Sequence, residues 1–417
     1  LFIRYFILVF VNFSIKIMCI SGVRGDFVYL KIYFNSVPRY LRFSSFVNSG
    51  YAQVHSKVGN LARQAPQIRG SEAMQAVSKM RMPERVGRGR VDRDENLHYL
   101  VGMRVLAGDI GGTKTRLALY EGNRCMREER FSSREFASLT ALLKQFSPQG
   151  VGRACFGVAG PVRQGRCQAT NLPWVVDAQE LAKETGIPSV RLLNDLEANA
   201  YGLACLGEEE FVTLQEGIPG AVGNQALISA GTGLGEAGLV WDGRTHRPFP
   251  SEGGHVDFAP RDALEVELWE YLRALFQHAS YERVLSGPGL YHLYRFLVET
   301  GKEREEAPLP EGDRPKMITE RALAGACPLC LRCVRWFISL YGSEAGNLAL
   351  KYLSLGGVFI GGGIAPKIAG LMQDKGFMEA FLDKGRLRGV LEGMAVKIVV
   401  NDRTALLGAA RCAREEA

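Results

Sequence analysis

The sequence predicts an α/β protein large enough for two domains. Three observations carry that reading. Short apolar strands break into glycine turns at three places, within 106–119, 226–235 and 356–364. Helical stretches stand between them. The chain has 417 residues, 47% hydrophobic and 23% charged, which is the composition of a soluble globular protein with a sizeable core rather than of a disordered or fibrous one.

The first turn lies in LAGDIGGTKTRLAL, 106–119. Val105, Leu106 and Ala107 lead in, Asp109 follows Gly108, and Gly111-Gly112-Thr113 leaves two residues without side chains, so an anion can approach the backbone N–H groups. A Walker A loop is excluded because Thr113 intervenes before Lys114 and residues 116–120 alternate like a strand instead of opening a helix. The dinucleotide fingerprint fails on glycine spacing and on the same missing helix. The stretch alone fits a Gly-Gly hairpin as well as a phosphate-cradling turn.

The elements that follow alternate. Residues 136–146 read as a helix and 154–158 as a buried strand running into Gly160-Pro161. Asn171 lies beside Trp174 as a turn residue or a polar contact, and a helix is expected over 177–185 with Asp177 as its N-cap. A strand at 190–193 meets Asn194-Asp195 and a helical run over 196–206. Asp195 suits an N-cap, but a carboxylate held ionised at a helix N-terminus also suits a general base, and Asn194 beside it can donate and accept as a sugar hydroxyl requires.

The second turn is Ala230-Gly231-Thr232-Gly233-Leu234-Gly235. It matches Gly-x-Gly-x-x-Gly only in spacing, since Leu239-Val240-Trp241 continues as a strand. Two turns with a Thr among glycines, each between strands, point to one phosphate chain held from two sides. Glu252 and His255 then share a glycine-rich loop, and Glu282 follows a helix over 264–278. Zinc-protease spacings are absent. Residues 300–316, charged and carrying Pro308, Pro310 and Pro315, read as a surface loop. The third turn places Gly361-Gly362-Gly363 after a strand, with a helix expected over 365–372. Backbone without side chains there suits the flat, neutral part of a ligand.

The net charge of +7 is uneven. Residues 1–102 hold 15 Lys and Arg against 6 Asp and Glu, an excess of 9, which leaves 103–417 at −2 and gives no electrostatic case for nucleic acid. Nine scattered cysteines fit a reducing, cytoplasmic setting. Cys327, Cys330 and Cys333, at three-residue steps with no fourth ligand following, read as small buried helix residues. Residues 1–20 are apolar but interrupted by Arg4, Asn12 and Lys16, too short a run to span a bilayer comfortably; a signal peptide or anchor is the alternative reading. Residues 30–67 show no sustained strand or helix period. The expectation is that 1–102 form an extension, disordered or non-native, upstream of Met103.

Three turns in this order, with Asn194-Asp195 between the first two, resemble the bacterial glucokinase family of the actin-like and hexokinase-like ATPases. The stretches Glu252-Gly253-Gly254-His255-Val256-Asp257-Phe258-Ala259-Pro260 and Leu285-Ser286-Gly287-Pro288-Gly289-Leu290 look like that family's signatures. Residues 1–102 have no counterpart. The resemblance implies a two-domain, ribonuclease H-like α/β fold with an inter-domain cleft: a small domain of 103–207 completed by 398–417, and a large one of 208–397. It implies ATP-dependent phosphorylation of the 6-hydroxyl of D-glucose, the first step of glycolysis, by a cytoplasmic homodimer with no nucleic-acid or membrane partner.

By position, Asp195 would be the base. Asn171, Asn194, Asp195, Glu252, His255 and Glu282 would hold the sugar. Asp109 would act on Mg2+ through water. Gly111, Gly112, Thr113, Lys114, Gly231, Thr232 and Gly233 would hold phosphates, and Gly361, Gly362 and Gly363 would line the adenosine site. Lys114 stands where some relatives carry Asn. The cysteine-rich zinc motif of the related repressor and sugar-kinase family is absent. The competing functions are a kinase for another hexose, which would share every phosphate residue, and a sugar-sensing regulator, which would need a DNA-reading helix pair that 69–82 does not supply.

Overall fold

The computed structural model describes residues 103–169 and 172–415, together with the backbone of four strands nearer the N-terminus. Those four make two antiparallel hairpins, Phe2–Phe10 with Phe13–Ser21 and Tyr29–Phe34 with Val37–Arg42, the second within the stretch where the sequence suggested no strand period. The chain divides into units 1–91 and 92–417, and the fold below is that of the second.

Strands β1 (Arg104–Ile110), β2 (Lys114–Glu121) and β3 (Arg124–Ser132) form an antiparallel meander. Helix α1 (Leu139–Phe146) connects to β4 (Val151–Val158). Strands β5 (Val162–Arg163), β6 (Arg166–Gln168) and β7 (Val175–Asp177) form a small separate sheet. Helix α2 (Ala178–Thr185) leads to β8 (Ser189–Asn194) and α3 (Asp195–Leu203). The five-stranded sheet runs β8-β4-β1-β2-β3, with β8, β4 and β1 parallel. Val105, Leu106 and Ala107 are fully buried, as the middle of a strand covered on both faces requires. Helix α1 buries Leu139, Leu142, Leu143 and Phe146, one stripe at helical spacing, after Ser138 caps it through Ala141 N. Asp177 caps α2 as expected, accepting from Gln179 N at 2.9 Å and Glu180 N at 3.1 Å.

The second sheet has six strands: β9 (Phe211–Gln215), β10 (Gln225–Ala230), β11 (Leu234–Trp241), β12 (His246–Ser251), β13 (Val358–Gly361) and β14 (Val396–Val399), ordered β9-β14-β13-β10-β11-β12. Helices α4 (Ala263–Phe276), α5 (Gly287–Glu299), α6 (Arg314–Leu323) and α7 (Pro328–Tyr352) contribute to the main core with Phe296, Phe337 and Tyr341 at its centre. Helix α6 starts inside the stretch read as loop, because Asp313 accepts from Lys316 N at 3.2 Å and Pro315 suits a first turn. Cys330 and Cys333 are buried on α7, while Cys327 caps it, and no metal-binding cluster exists among the described residues. The expected helix at 365–372 is a 3-10 turn, Ala365–Ile368, running into the short α8 (Ala369–Met372). Helices α9 (Lys375–Leu382) and α10 (Arg388–Glu392) precede β14. No single helix among the described residues is long and apolar enough to cross a membrane.

The last helix, α11 (Thr404–Arg414), returns to the first sheet, where Ala405, Leu406, Ala409 and Ala410 pack with Val105, Ala107, Leu193 and Ala198. Here α3 and α11 touch backbone to backbone. A side chain on Gly408 would run into Ala198 O and Gly202 N, so glycine is what lets the two helices meet. Gly408→Leu is therefore expected to destabilise the chain by more than about 2 kcal/mol. The corresponding fall in the melting temperature of the full chain is roughly 5 °C or more.

Candidate active site

Register decides where the polar residues gather. Ile110 of β1 pairs with Val158 of β4, which pairs with Asn194 of β8, so three parallel strands end in line. The residues just past those ends are the first glycine turn, the 159–161 loop and Asp195. In the second sheet Ser229 of β10 pairs with Gly361 of β13, again in parallel, which puts the second and third glycine turns side by side. Open α/β sheets present their ligand crevice at such carboxyl ends.

The first turn is a hairpin turn between β1 and β2, closed by Gly111 N donating to Lys114 O at 3.0 Å, so the hairpin and anion readings describe one feature. Ser133 braces it from below. Its hydroxyl donates to Gly111 O at 2.7 Å and lies 2.9 Å from Thr115 Oγ1, while its N–H donates to Thr113 O at 3.0 Å. Thr113 and Lys114 are exposed at the tip. In the second turn Gly231 N donates to Gly233 O, and Gly231 O accepts from Gly287 N, both at 2.8 Å. The wholly buried Tyr341 joins the second and third turns: its hydroxyl accepts from Ala230 N at 3.0 Å and donates toward Ile228 O at 3.3 Å and Gly361 O at 3.4 Å.

Asp195 is the first residue of α3. Asn194 is its N-cap, with Oδ1 accepting from Leu196 N at 2.9 Å and Nδ2 donating to Gly160 O at 3.1 Å. One N–H of that amide stays available for a ligand. Asp195 Oδ1 also accepts from Leu196 N, at 3.0 Å. At neutral pH Asp195 stays mostly ionised, as expected, but its environment makes it more basic: burial pushes the carboxyl up to about 6, the Leu196 N–H pulls it down, and the negative charges of Asp109 and then Glu252 add to the rise. Those charges act because the first turn, the α3 terminus and the glycine-rich loop converge here. Asp109 itself is raised by burial, against the pull of Arg116. Arg116 is held by Asp402, with Nη2 to Oδ2 at 2.8 Å.

On the opposite wall, His255 Nε2 lies 3.9 Å from Glu282 Oε2, and Glu282 Oε2 accepts from Leu234 N at 3.0 Å. A Cβ on Gly233 would stand 2.5 Å from Glu282 Oε2, so the second turn carries glycine there to let this carboxylate in. Glu252 and His255 are exposed on their loop. The structure thus brings together Asp109, Asp195, Glu252, His255 and Glu282. Asn171 lies outside the described residues. Sequence reasoning missed Ser133, Tyr341 and the Arg116–Asp402 pair; only the buried hydroxyls facing glycine turns would have signalled the first two.

Two sheets, glycine turns at their parallel strand ends and a buried carboxyl at a helix N-terminus are the architecture of a two-domain kinase of the actin-like, hexokinase-like fold. The family profile described as Glucokinase matches residues 106–416. The glucokinase of Trichormus variabilis is 40% identical over 336 residues, covering 74% of this chain and 98% of that protein, and that of Salmonella paratyphi B is 37% identical over 308 residues, covering 73% and 94%. Among solved structures, the glucokinase from an Antarctic psychrotroph superposes with a TM-score of 0.66 at 32% identity over 75% of this chain and 99% of that one. The glucose complex of the Balamuthia mandrillaris glucokinase gives 0.64 at 20% identity over 78% and 100%, a likeness of fold. The chain belongs to the glucokinase family.

The raised Asp195 carboxyl sets a sign for stability. Below about pH 4 both folded and unfolded chains carry its proton, and between there and about 6 the folded chain keeps a proton that the unfolded one has lost, so stability falls as pH rises. Asp195→Asn removes that penalty. It is expected to stabilise the full chain by about 1–3 kcal/mol at pH 7.5 and by nothing near pH 3.5, read from denaturant midpoints at the two pH values.

Proposed function

We propose that residues 103–417 act as an ATP-dependent glucokinase, transferring the γ-phosphoryl group of ATP to the 6-hydroxyl of D-glucose in a cleft between lobes 103–207 with 398–417, and 208–397. The observation that carries the reading is the convergence of Asp195 with Glu252 of the loop and Asp109 of the first turn, registered in the raised Asp195 carboxyl. The reading extends to a cytoplasmic homodimer.

In this scheme Glu252, His255 and Glu282 hold the sugar hydroxyls, with Asn194 and Asn171 contributing. Such groups discriminate because a sugar lacking one partner leaves a buried polar atom unpaired. Asp195, ionised at neutral pH, accepts the proton of the 6-hydroxyl. The oxygen forms a bond to the γ-phosphorus, the bond to the ADP oxygen breaks, and the proton passes from Asp195 to solvent. Gly111 to Lys114 and Gly231 to Gly233 hold phosphates and Gly361 to Gly363 the adenosine. The donor set fits Mg2+, which keeps several waters, with Asp109 acting on it through a water. When bound, the ion neutralises charge on the phosphate oxygens. Phosphoryl transfer asks mainly for positioning and charge neutralisation, which these parts supply.

The test is a coupled assay of the full chain with magnesium-ATP and glucose, mannose, fructose or N-acetylglucosamine. Glucose 6-phosphate formation well above the others is expected; preference for another hexose would keep Asp195 and the fold and reject the substrate. Asp195→Asn should lower kcat by about 10³-fold or more with glucose affinity nearly unchanged. For the unsubstituted chain, kcat/KM should fall about tenfold per pH unit below about 6, where Asp195 gains its proton.

A further inference from the structure

Beneath the sugar loop lies an acid that this reaction does not use. Glu236, in the middle of β11, is 1% exposed, and no N–H or O–H of another residue donates to either of its carboxyl oxygens. An ionised carboxylate so placed would be desolvated without compensation. The facing acid is Glu344 on α7, also fully buried but well supplied: Lys351 Nζ stands 3.1 Å from Oε1, and Asn347 Nδ2 donates to Oε2 at 2.8 Å. Asn347 Nδ2 also lies 3.1 Å from the hydroxyl of Tyr281. Tyr341 on α7 feels the Glu236 charge, Tyr281 feels the charge of Glu344, is hydrogen-bonded to it and feels Arg261, and Lys384 feels Glu344.

The donor account closes in one way. Glu344 already receives two donors, and Glu236 receives none, so Glu236 keeps its own proton and gives it to Glu344. Burial, then the charge of Glu344, push the Glu236 carboxyl up to about 8 against the pull of Lys351.

Its place under the loop gives this proton a consequence. Glu236 pairs with Ser251 across β11 and β12, and Gly253 N donates to Ser251 Oγ at 3.0 Å. Glu236 Oε2 is packed directly against Gly253, where any Cβ would overlap it. Gly253 and Gly254 are buried, while Glu252 and His255 on either side of them are exposed. The carboxyl is the floor of the turn that carries both sugar-binding side chains.

We propose that Glu236 is a positioning residue for the sugar: its proton, shared with Glu344, holds the floor neutral so that the Gly253-Gly254 turn sets Glu252 and His255. The inference rests on the glucokinase reading above. Loss of the proton leaves two facing carboxylates, with Lys351 already ion-paired to Glu344. Glu344 is fixed within the long core helix, so the exposed loop is the side that yields.

The experiment follows glucose KM, ATP KM and kcat, with glucose Kd by calorimetry, from about pH 6.5 to 9.5 for the full chain, Glu236→Gln and Glu236→Ala. In the unsubstituted chain glucose KM and Kd should rise toward roughly tenfold per pH unit above about 8 while ATP KM stays level. Glu236→Gln, neutral and still a donor to Glu344, should match it near pH 7 and lose the alkaline rise. Glu236→Ala should weaken glucose binding roughly tenfold or more already at pH 7, since Glu344 faces a void. The same alkaline rise in Glu236→Gln, or unchanged glucose binding in Glu236→Ala, overturns the proposal. Should the variants fail to fold, hydrogen exchange over residues 250–258 of the unsubstituted chain decides: protection lost there selectively between pH 7 and 9, beyond the intrinsic pH effect, supports it, and uniform protection rejects it. A chain that takes no hexose at pH 7 would reject the functional reading instead, and the exchange measurement would still judge Glu236.

Discussion

The in-line ending of β1, β4 and β8 is the constraint on which the rest of the site depends. Pairing of Ile110 with Val158 and of Val158 with Asn194 leaves no freedom in where the first turn and Asp195 fall relative to each other. A slip by one residue would turn every side chain of a strand to the opposite face, and in β1 it would also bring a side chain to the place of Gly108, where any Cβ stands 2.5 Å from the Phe156 ring. Helix α11 fixes the remaining coordinate. It clamps α3 against the sheet through a glycine crossing, so the helix that begins with Asp195 is held along its length by the last segment of the chain. A second small core, with Ala200, Leu203, Leu227, Ala237 and Leu239 at its centre and Leu196 beside it, couples the same helix to β10 and β11 of the other sheet.

That geometry creates an electrostatic problem, and the structure answers it with opposing terms. Asp109, Asp195 and Glu252 place like charges near one another in partly buried positions, which raises Asp195. The N–H groups at the start of α3 oppose the rise without cancelling it. The balance near 6 leaves the carboxyl ionised at neutral pH yet more basic than a fully solvated one by about two units, which is what the proposed role as base requires. Of the carboxylates that would hold a sugar, Glu252 is left exposed on its loop, whereas the acids buried deeper are neutralised: Glu344 by Lys351, and Glu265 by Arg261.

Features set by local chemistry were legible in the sequence. The three glycine turns, the Asp177 cap and the strand-to-helix junction at Asn194-Asp195 each depend on a few adjacent residues, and each stands within a residue or two of its expected place. The boundaries that moved also have local causes, such as the Asp313 cap that starts α6 early and the Pro366-containing turn that tightens residues 365–368. What was not legible is what joins distant segments. Ser133 supports a turn some twenty residues before it, Tyr341 ties strands more than a hundred residues away, and Glu236 meets Glu344 only because α7 lies across the second sheet. A buried Glu inside an alternating strand reads in sequence as one more solvent-facing charge. Its meaning depends on which helix covers that face, and no local pattern specifies that.

The division of labour between backbone and side chain follows from the two kinds of ligand group. Phosphates are strong, diffuse anions, and in the proposed site the glycine turns would meet them with N–H donors whose positions are fixed by strand pairing and by two buried hydroxyls, Ser133 and Tyr341. Sugar hydroxyls are weak, directional and numerous, so they need side chains that accept and donate at set angles. Those side chains must sit on a loop, and a loop is the least rigid place to put them. The protein compensates from beneath, with Glu282 pinned by Leu234 N through the glycine at 233 and the Gly253-Gly254 turn packed against β11. In the proposed site, precision at the sugar is therefore borrowed from the same sheet that carries two of the glycine turns, and a disturbance in β11 would reach both halves at once.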